Sequence, residues 1–318
     1  MALFQTKKIQ LFSVFIIVLV ATLWVFQDNF LKFLVVQKIT EESDTTSEEA
    51  KETAYKEKID NFFLKEYSKE LVLLHTINAR TYYSFENSPI ELFEVKVKTF
   101  NVAQEEGLLL ISNRAEILKS GEIFFNGKVE IQTMTGISHE LTTESLIVLS
   151  DKGQIKSNKE VTYLGETSRI ISEGMEMNID SDTMYLSGNV KIFENSGVTI
   201  DTKNLDISHS KSEKIYKSKE STVYRSKDTT INSESGINVD MNIELINLLG
   251  KVEVLTQLGG ILESSNVVID QSKDGEVIKS NSPSHYKSNI VDIKAKKMHY
   301  DAVTKKLELM NRVEAVYE

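Results

Sequence analysis

Hydrophobic and polar residues alternate with a period of two from about residue 91 to the end of the chain. In the first clear segment Phe93, Val95 and Val97 share one parity, while Glu94 and Lys96 share the other. A strand with one buried and one solvated face requires this alternation. Similar segments recur between clusters of Gly, Asn, Ser and Asp, without a long helical pattern. The pattern predicts an all-β, antiparallel region over residues 91–318.

A glycine-centred strand motif recurs within this region at a nearly constant interval. Gly127, Gly188 and Gly250 each stand between pairs of alternating apolar residues, and Asn311 occupies the fourth position of the series, at intervals of 61, 62 and 61 residues. A glycine in mid-strand marks a bulge or a bend. We therefore expect the sheet to bend at the same place in every copy, and the copies to stack as a repeat structure.

The inward-facing residues of these strands form an apolar stripe. Two interpretations remain open, a plain sandwich core and the lining of a groove for an apolar ligand. Methionines are compatible with the second, because thioethers adapt to irregular apolar surfaces. The residues of the stripe are Phe125, Val129, Ile131, Leu146, Val148, Met175, Met177, Met184, Leu186, Val190, Ile192, Leu248 and Val252.

The N-terminal region carries a different pattern. Residues 9–27 are 19 consecutive uncharged residues, and as a helix they would reach about 28 Å, close to the thickness of the bilayer core. Two lysines precede this run and Trp24 lies near its far end, which predicts that residues 1–8 are cytosolic. A cleaved signal peptide and a buried helix are the alternatives, but a peptidase requires small residues where this chain has bulky ones. We expect an uncleaved single-pass anchor.

Residues 28–90 are predicted to form a juxtamembrane linker that is acidic and partly helical. Between Glu41 and Asp60 there are eight acidic residues and three lysines, and the apolar residues from Ile59 to Leu64 show weak helical spacing. A solvated spacer and a docking tail are both compatible with such a run of charge. We favour the spacer.

Composition excludes several classes of function. The absence of cysteine excludes disulfides, thiolate metal sites and a cysteine nucleophile. The net charge of −10 argues against nucleic-acid binding. No metal, phosphate or nucleophile motif is found, and we expect Asp and Glu on outward strand positions, without the paired carboxylates of a sugar-active enzyme. We therefore expect no cofactor, no metal and no enzymatic activity.

Short motifs between Gly127 and Val190 carry a resemblance to a known family. They are Thr143–Leu146, Lys159–Val161, Ile170–Met175 and Ser187–Val190. These segments resemble the LptA/LptC/OstA-type proteins of lipopolysaccharide transport, and an uncleaved anchor before such a domain is similar to LptC rather than to soluble LptA. This chain departs from a usual LptC by one or two extra copies after Val190, which would let it replace part of the LptA bridge.

The resemblance implies an elongated, repetitive β-jellyroll in the periplasm of a Gram-negative bacterium, anchored in the inner membrane. It implies that an inner-membrane ABC transporter (LptB/LptF/LptG-like) loads lipopolysaccharide onto the chain, which passes it to an LptA-like periplasmic protein towards the outer membrane. An apolar groove would keep acyl chains from water, where each exposed CH₂ costs about 0.8 kcal/mol. A membrane-anchored β-repeat scaffold with a sealed core is the alternative.

Two strands are predicted to join partner proteins through their edges. An unpaired strand edge is a ready site for strand addition. We expect the first edge to meet the transporter and the second to meet the LptA-like protein, and an edge that merely frays is the alternative. The assigned residues are Phe93, Val95 and Val97 at the first edge and Leu307, Leu309, Val313 and Tyr317 at the second.

Overall fold

The structure is a computed structural model of the 318-residue chain. It describes residues 55–68, 71–100, 105–134, 140–149, 152, 154–165, 167–178, 183–209, 214–227, 229–256, 260–273 and 275–317. Two compact units divide the chain, one comprising Met1–Lys159 with Asn178–Ser181 and the other comprising Glu160–Met177 with Asp182–Glu318.

Antiparallel β-structure accounts for the regular elements of the described residues. They contain 23 strands and no α-helix. The predicted all-β class is confirmed, and the arrangement is consistent with a β-jellyroll. No helix in the described ranges is long and apolar enough to cross a membrane. The predicted anchor over residues 9–27 lies outside those ranges and stays a prediction.

The first unit is a meander in which each strand pairs with the next. Its strands are β1 (Glu57–Tyr67), β2 (Leu73–Ser84), β3 (Ile90–Phe100), β4 (Glu106–Ile117), β5 (Ile123–Thr133), β6 (Glu140–Leu149) and β7 (Gln154–Ser157). The core lies on one face and includes Tyr82, Leu110 and Phe125.

The helical linker predicted for residues 28–90 is wrong from residue 57 onward, where β1 and β2 form a hairpin. Ile59 and Phe62 both lie on the more buried face of β1 although they are three residues apart. The reason is Asn61, whose φ of 56° breaks the alternation of faces at this point, although the register with β2 is unchanged across it. This break places apolar residues three positions apart on one face, which produced the apparent helical spacing. Residues 28–54 lie outside the described ranges.

A residue at positive φ also changes the predicted face of Phe93. Glu94 has a φ of 52°, so Leu92 and Val95 are the buried residues around it and Phe93 lies half-buried on the outer face. There the Phe93 ring contacts the Tyr83 ring, with centroids 5.9 Å apart, and lies 5.5 Å from the Arg114 guanidinium. Strict alternation could not anticipate this change of face, which occurs without a register shift at Glu94.

The edge role predicted for Phe93, Val95 and Val97 is also wrong. Their strand, β3, pairs with β2 on one side and with β4 on the other, so no edge of it is free for a partner. The error has the same origin as the helical linker, because β1 and β2 were not recognised as strands. Among the described residues β1 pairs only with β2.

The second unit alternates long strands with interrupted ones. Its strands are β8 (Val161–Leu164), β9 (Ser168–Asn178), β10 (Thr183–Glu194), β11 (Thr199–His209), β12 (Lys214–Ser218), β13 (Thr222–Arg225), β14 (Thr229–Ser233), β15 (Ile237–Asp240), β16 (Leu245–Thr256), β17 (Ile261–Lys273), β18 (Gly275–Ser280), β19 (Ser284–Lys287), β20 (Val291–Ala295), β21 (Lys297–Asp301), β22 (Lys306–Met310) and β23 (Glu314–Tyr317). The long strands β11, β16 and β17 each carry two short partners end to end. For example, β11 pairs with β12 through one half and with β13 through the other.

Mid-strand bulges occur at the repeated positions, as the glycine motif predicts. Gly127, Gly188, Gly250 and Asn311 have φ values of 74°, 75°, 73° and 63°, in the left-handed region that glycine adopts freely and asparagine tolerates. At Gly188 and Gly250 the strand register shifts. Asn311 stands where β22 ends and β23 has not begun. The fourth copy therefore preserves the bend although it has lost the glycine.

Candidate functional site

In the first unit the predicted stripe lies on the inward face of β5 and β6. Phe125, Val129, Leu146 and Val148 are buried, and Ile131 is half-buried near the end of β5. Phe125 and Val129, four residues apart, both face inward on either side of the register shift around Gly127. The predicted inward parity is confirmed for these residues, but burial alone does not separate a groove lining from a plain core.

In the second unit the stripe continues on β9, β10 and β16. Of its predicted members the buried ones are Met175, Leu186, Val190, Ile192, Leu248 and Val252. Met177 and Met184 are half-buried and lie near strand ends. The neighbours of opposite parity are more exposed, as Tyr185 beside Leu186 shows.

The mid-strand bulges divide the sheet of the second unit into two half-sheets, one that includes β13 and β14 and one that includes β15 and β18. A hydrogen bond shows that these two half-sheets face each other. The Tyr224 hydroxyl of β13 donates to the Glu276 carboxylate at the start of β18. Within the sheet, β14, β16 and β17 lie between these two strands. At the usual strand spacing, a flat sheet would place β13 and β18 about 19 Å apart. The two side chains can meet only if the sheet bends back over itself, and the mid-strand bulges supply that bend.

A cluster of polar side chains occupies this interior. Gln271 Nε2 donates to the Tyr224 hydroxyl at 3.3 Å. Burial raises the pKa of Tyr224, and the nearby Glu276 carboxylate raises it further. Burial also raises the pKa of Glu194, with Glu276 adding to the effect, and burial together with Glu194 raises the pKa of Tyr216 to about 12.

The expectation that Asp and Glu all point outward is wrong for Glu194 and Glu276. Glu194 has the parity of buried Val190 and Ile192, and Glu276 has the parity of buried Ile278. The pattern did not show this, because both residues lie at strand ends, where one polar residue does not interrupt an alternation. No ion pair joins either carboxylate to a basic side chain in the described part of the chain.

Hydroxyl side chains form a second repeated feature that the sequence analysis missed. Between the end of β12 and the start of β13, the Oγ1 of the buried Thr202 lies 3.0 Å from Ser218 Oγ and 2.9 Å from Thr222 Oγ1. One copy later, the Oγ atoms of Ser264 and Ser284 lie 3.0 Å apart. These hydroxyls replace backbone hydrogen bonds that are lost where a partner strand is interrupted. The signal was present, because these hydroxyl positions and Tyr224 recur after 62 residues.

The terminal strands form a different kind of surface. Among the described residues β22 pairs only with β21, and β23 pairs only with β20. All four residues of β23 are exposed, and Tyr317 is 78% exposed. Leu307 and Leu309 are half-buried, and Val313 is exposed. A free edge with apolar side chains is therefore present where the sequence analysis placed it.

Comparison with known families agrees with this architecture. The model of the family described as Lipopolysaccharide-assembly, LptC-related, matches residues 14–195 and 212–318. The chain belongs to the LptC-related family. Its members are inner-membrane-anchored periplasmic components of lipopolysaccharide transport, a role that is not enzymatic. No curated protein matches the sequence. Membership confirms the resemblance seen in the glycine-centred motifs and makes this chain a component of lipopolysaccharide transport.

Proposed function

We propose that this LptC-related protein holds the acyl chains of lipopolysaccharide against the inward faces of its two units. In this proposal an anchor over residues 9–27 keeps it at the inner membrane, where an LptB/LptF/LptG-like transporter loads it. The protein then passes the lipid to an LptA-like periplasmic protein. Acyl chains require apolar contact along their whole length, since each CH₂ left in water costs about 0.8 kcal/mol.

The observation that carries the proposal is that large apolar side chains face inward in strand after strand. In the second unit Leu186, Val190 and Leu248 share this face. They project from a bent sheet whose halves face each other. Half-buried Met177 and Met184 fit an interior that accommodates a flexible ligand.

The C-terminal edge is proposed as the junction with the LptA-like protein. The Tyr224–Glu276 contact joins β13 of one half-sheet to β18 of the other, four strands further along the ladder. At this point, therefore, a strand of one copy is covered by a strand of the next. For β23 no described strand occupies that next place, and its side chains are exposed on both faces. Strands added by a partner would pair with the free edge and also cover Val313 and Tyr317.

The edge that we propose for the transporter is β1, since β3 is an interior strand. β1 carries no buried residue, and Phe63 is 53% exposed on it. Its neighbour Lys65 lies 5.5 Å from the Phe63 ring. A strand or loop of the transporter that paired with β1 would bury this ring.

Photo-crosslinking tests the lipid interior directly. A photoreactive side chain at Leu248 is expected to capture lipopolysaccharide in cells, while one at Asn247 is not, because adjacent residues in a strand face opposite sides. Leu186 and Tyr185 form a second matched pair. Capture at both parities, or at neither, would contradict the proposal and favour a scaffold with a sealed core.

A further inference from the structure

The cross-sheet hydrogen bonds lie at the strand ends, far from the bend. In β16 the bend is at Gly250, whereas Gln271 lies beside Glu244, just before that strand begins. Tyr224 is at the other extreme, next to the turn that Ser226 closes by donating its N–H to the Thr229 carbonyl at 2.9 Å. The contact therefore closes the side of the interior that is opposite the bend.

The chemistry of this contact differs from that of the surrounding interior. Tyr224 is fully buried, and its hydroxyl both donates to the Glu276 carboxylate and accepts from the Gln271 amide. A hydrogen bond to a carboxylate is stronger than one between neutral groups. An acyl chain that crossed this point would have to separate the three side chains, because it offers them no hydrogen-bonding group.

We propose that Tyr224, Gln271 and Glu276 form a clasp that holds the two half-sheets of the second unit together, and that the clasp must open for an acyl chain to enter or leave the interior on that side. The inference rests on the proposed function for its ligand. The clasp itself is a property of the fold and can be examined without lipid.

The first experiment measures the opening without lipid. The chain has no cysteine, so spin labels can be attached at two introduced cysteines, Lys227→Cys and Ile243→Cys, at exposed turn positions on the two half-sheets. In the full chain purified from membranes, Tyr224→Phe is expected to broaden the label–label distance distribution towards longer distances. Tyr286→Phe is the matched control, since Tyr286 occupies the same repeat position and the structure describes no hydrogen bond of its hydroxyl. An unchanged distribution for Tyr224→Phe, or equal broadening by both variants, would overturn the clasp.

The second experiment measures exchange of lipid. Wild-type protein, Tyr224→Phe and Tyr286→Phe are loaded with radiolabelled lipopolysaccharide, and release to an excess of unlabelled lipopolysaccharide is followed. Release from Tyr224→Phe is expected to be about tenfold faster, as suits the loss of a hydrogen bond to a charged group, with Tyr286→Phe unchanged. Equal release rates for all three proteins would overturn the clasp as a gate. If wild-type protein holds no lipopolysaccharide, the proposed function fails, while the label distances still decide whether the clasp exists.

Discussion

Two copies of the same repeat motif have opposite environments in this protein. In β16 the inward residues Leu248 and Val252 are completely buried. One copy later, Leu309 is half-buried and Val313 is 50% exposed. The residue types and the backbone bend are conserved between the copies, so neither causes the difference. What differs is the neighbourhood, because β17 covers β16 while no described strand lies beyond β22 and β23.

The comparison teaches that an inward apolar pattern specifies a strand that can be covered, not one that is covered. For β16 the protein itself supplies the neighbours. For β22 and β23 the same pattern produces an exposed apolar edge, which is a risk for aggregation unless a partner covers it. This makes the terminal copy a candidate surface for assembly, and it makes the internal copy the matched control for testing it.

Removal of the terminal copy is expected to have the largest effect. Deletion of residues 307–318 should abolish pull-down of an LptA-like soluble protein, because the edge proposed as the junction is lost. The anchor and association with the membrane transporter should be retained, since neither involves this edge. Normal binding of the soluble protein by the truncated chain would show that the junction lies elsewhere. A circular dichroism spectrum typical of β-structure would establish that the truncated protein still folds.

Leucine truncation in the two copies is the next test. Leu248→Ala should lower the free energy of unfolding by about 2–5 kcal/mol, the usual range for a fully buried leucine. Leu309→Ala, at the same position one copy later, should cost less than half as much in the isolated protein. Urea denaturation of both variants measures the difference. Equal losses would indicate that the terminal copy is as well packed as the internal one.

The bulge offers a smaller and more local comparison. A Cβ at Gly250 would lie 2.3 Å from Ser235 Oγ, and φ there is +73°, so Gly250→Ala suffers both a steric clash and an unfavourable backbone conformation. Asn311→Ala suffers mainly the second, which costs about 1–2 kcal/mol. We expect Gly250→Ala to lower the melting temperature more than Asn311→Ala. The reverse order would mean that the terminal bend is the more constrained of the two.

The smallest effect concerns carboxyl groups of the two regions. Burial raises the pKa of Glu194 above its ordinary 4.5, so the folded state holds this proton more tightly and stability falls as pH rises from about 4.5 to the folded pKa. Lys306 lowers the pKa of Glu308, so the Glu308 contribution to stability has the opposite sign and is lost as pH falls. Glu194→Gln should therefore flatten the decline of the unfolding free energy with rising pH. For one proton the slope of this decline is at most about 1.4 kcal/mol per pH unit.

Denaturation midpoints from pH 4 to pH 7 measure this slope. Glu308→Gln is the matched control and should leave the decline in place. If Glu194→Gln has the same pH dependence as the wild-type protein, the Glu194 carboxyl is not desolvated by the interior.

Local pattern was sufficient for part of the fold and of the candidate site. Alternation identified most strands after residue 90, and the spacing of Gly127, Gly188 and Gly250 located the bulges. It failed at β1 and at Phe93, because one residue at a positive φ, Asn61 or Glu94, changes the face of the residues after it. It also missed the clasp, since Tyr224 and Glu276 lie 52 residues apart and meet only because the sheet bends back.

The sequence by itself determined the all-β class, the 61–62-residue repeat, the inward stripe and the family, because each depends on residues close together in the chain or on their repetition. Only the tertiary structure decided which copy is covered, which strand is an edge and which carboxylates face inward. Those properties depend on strands brought together from different copies. Leu248 and Leu309 fit one pattern equally well, and only the strand beyond each of them makes one a core residue and the other part of an open edge.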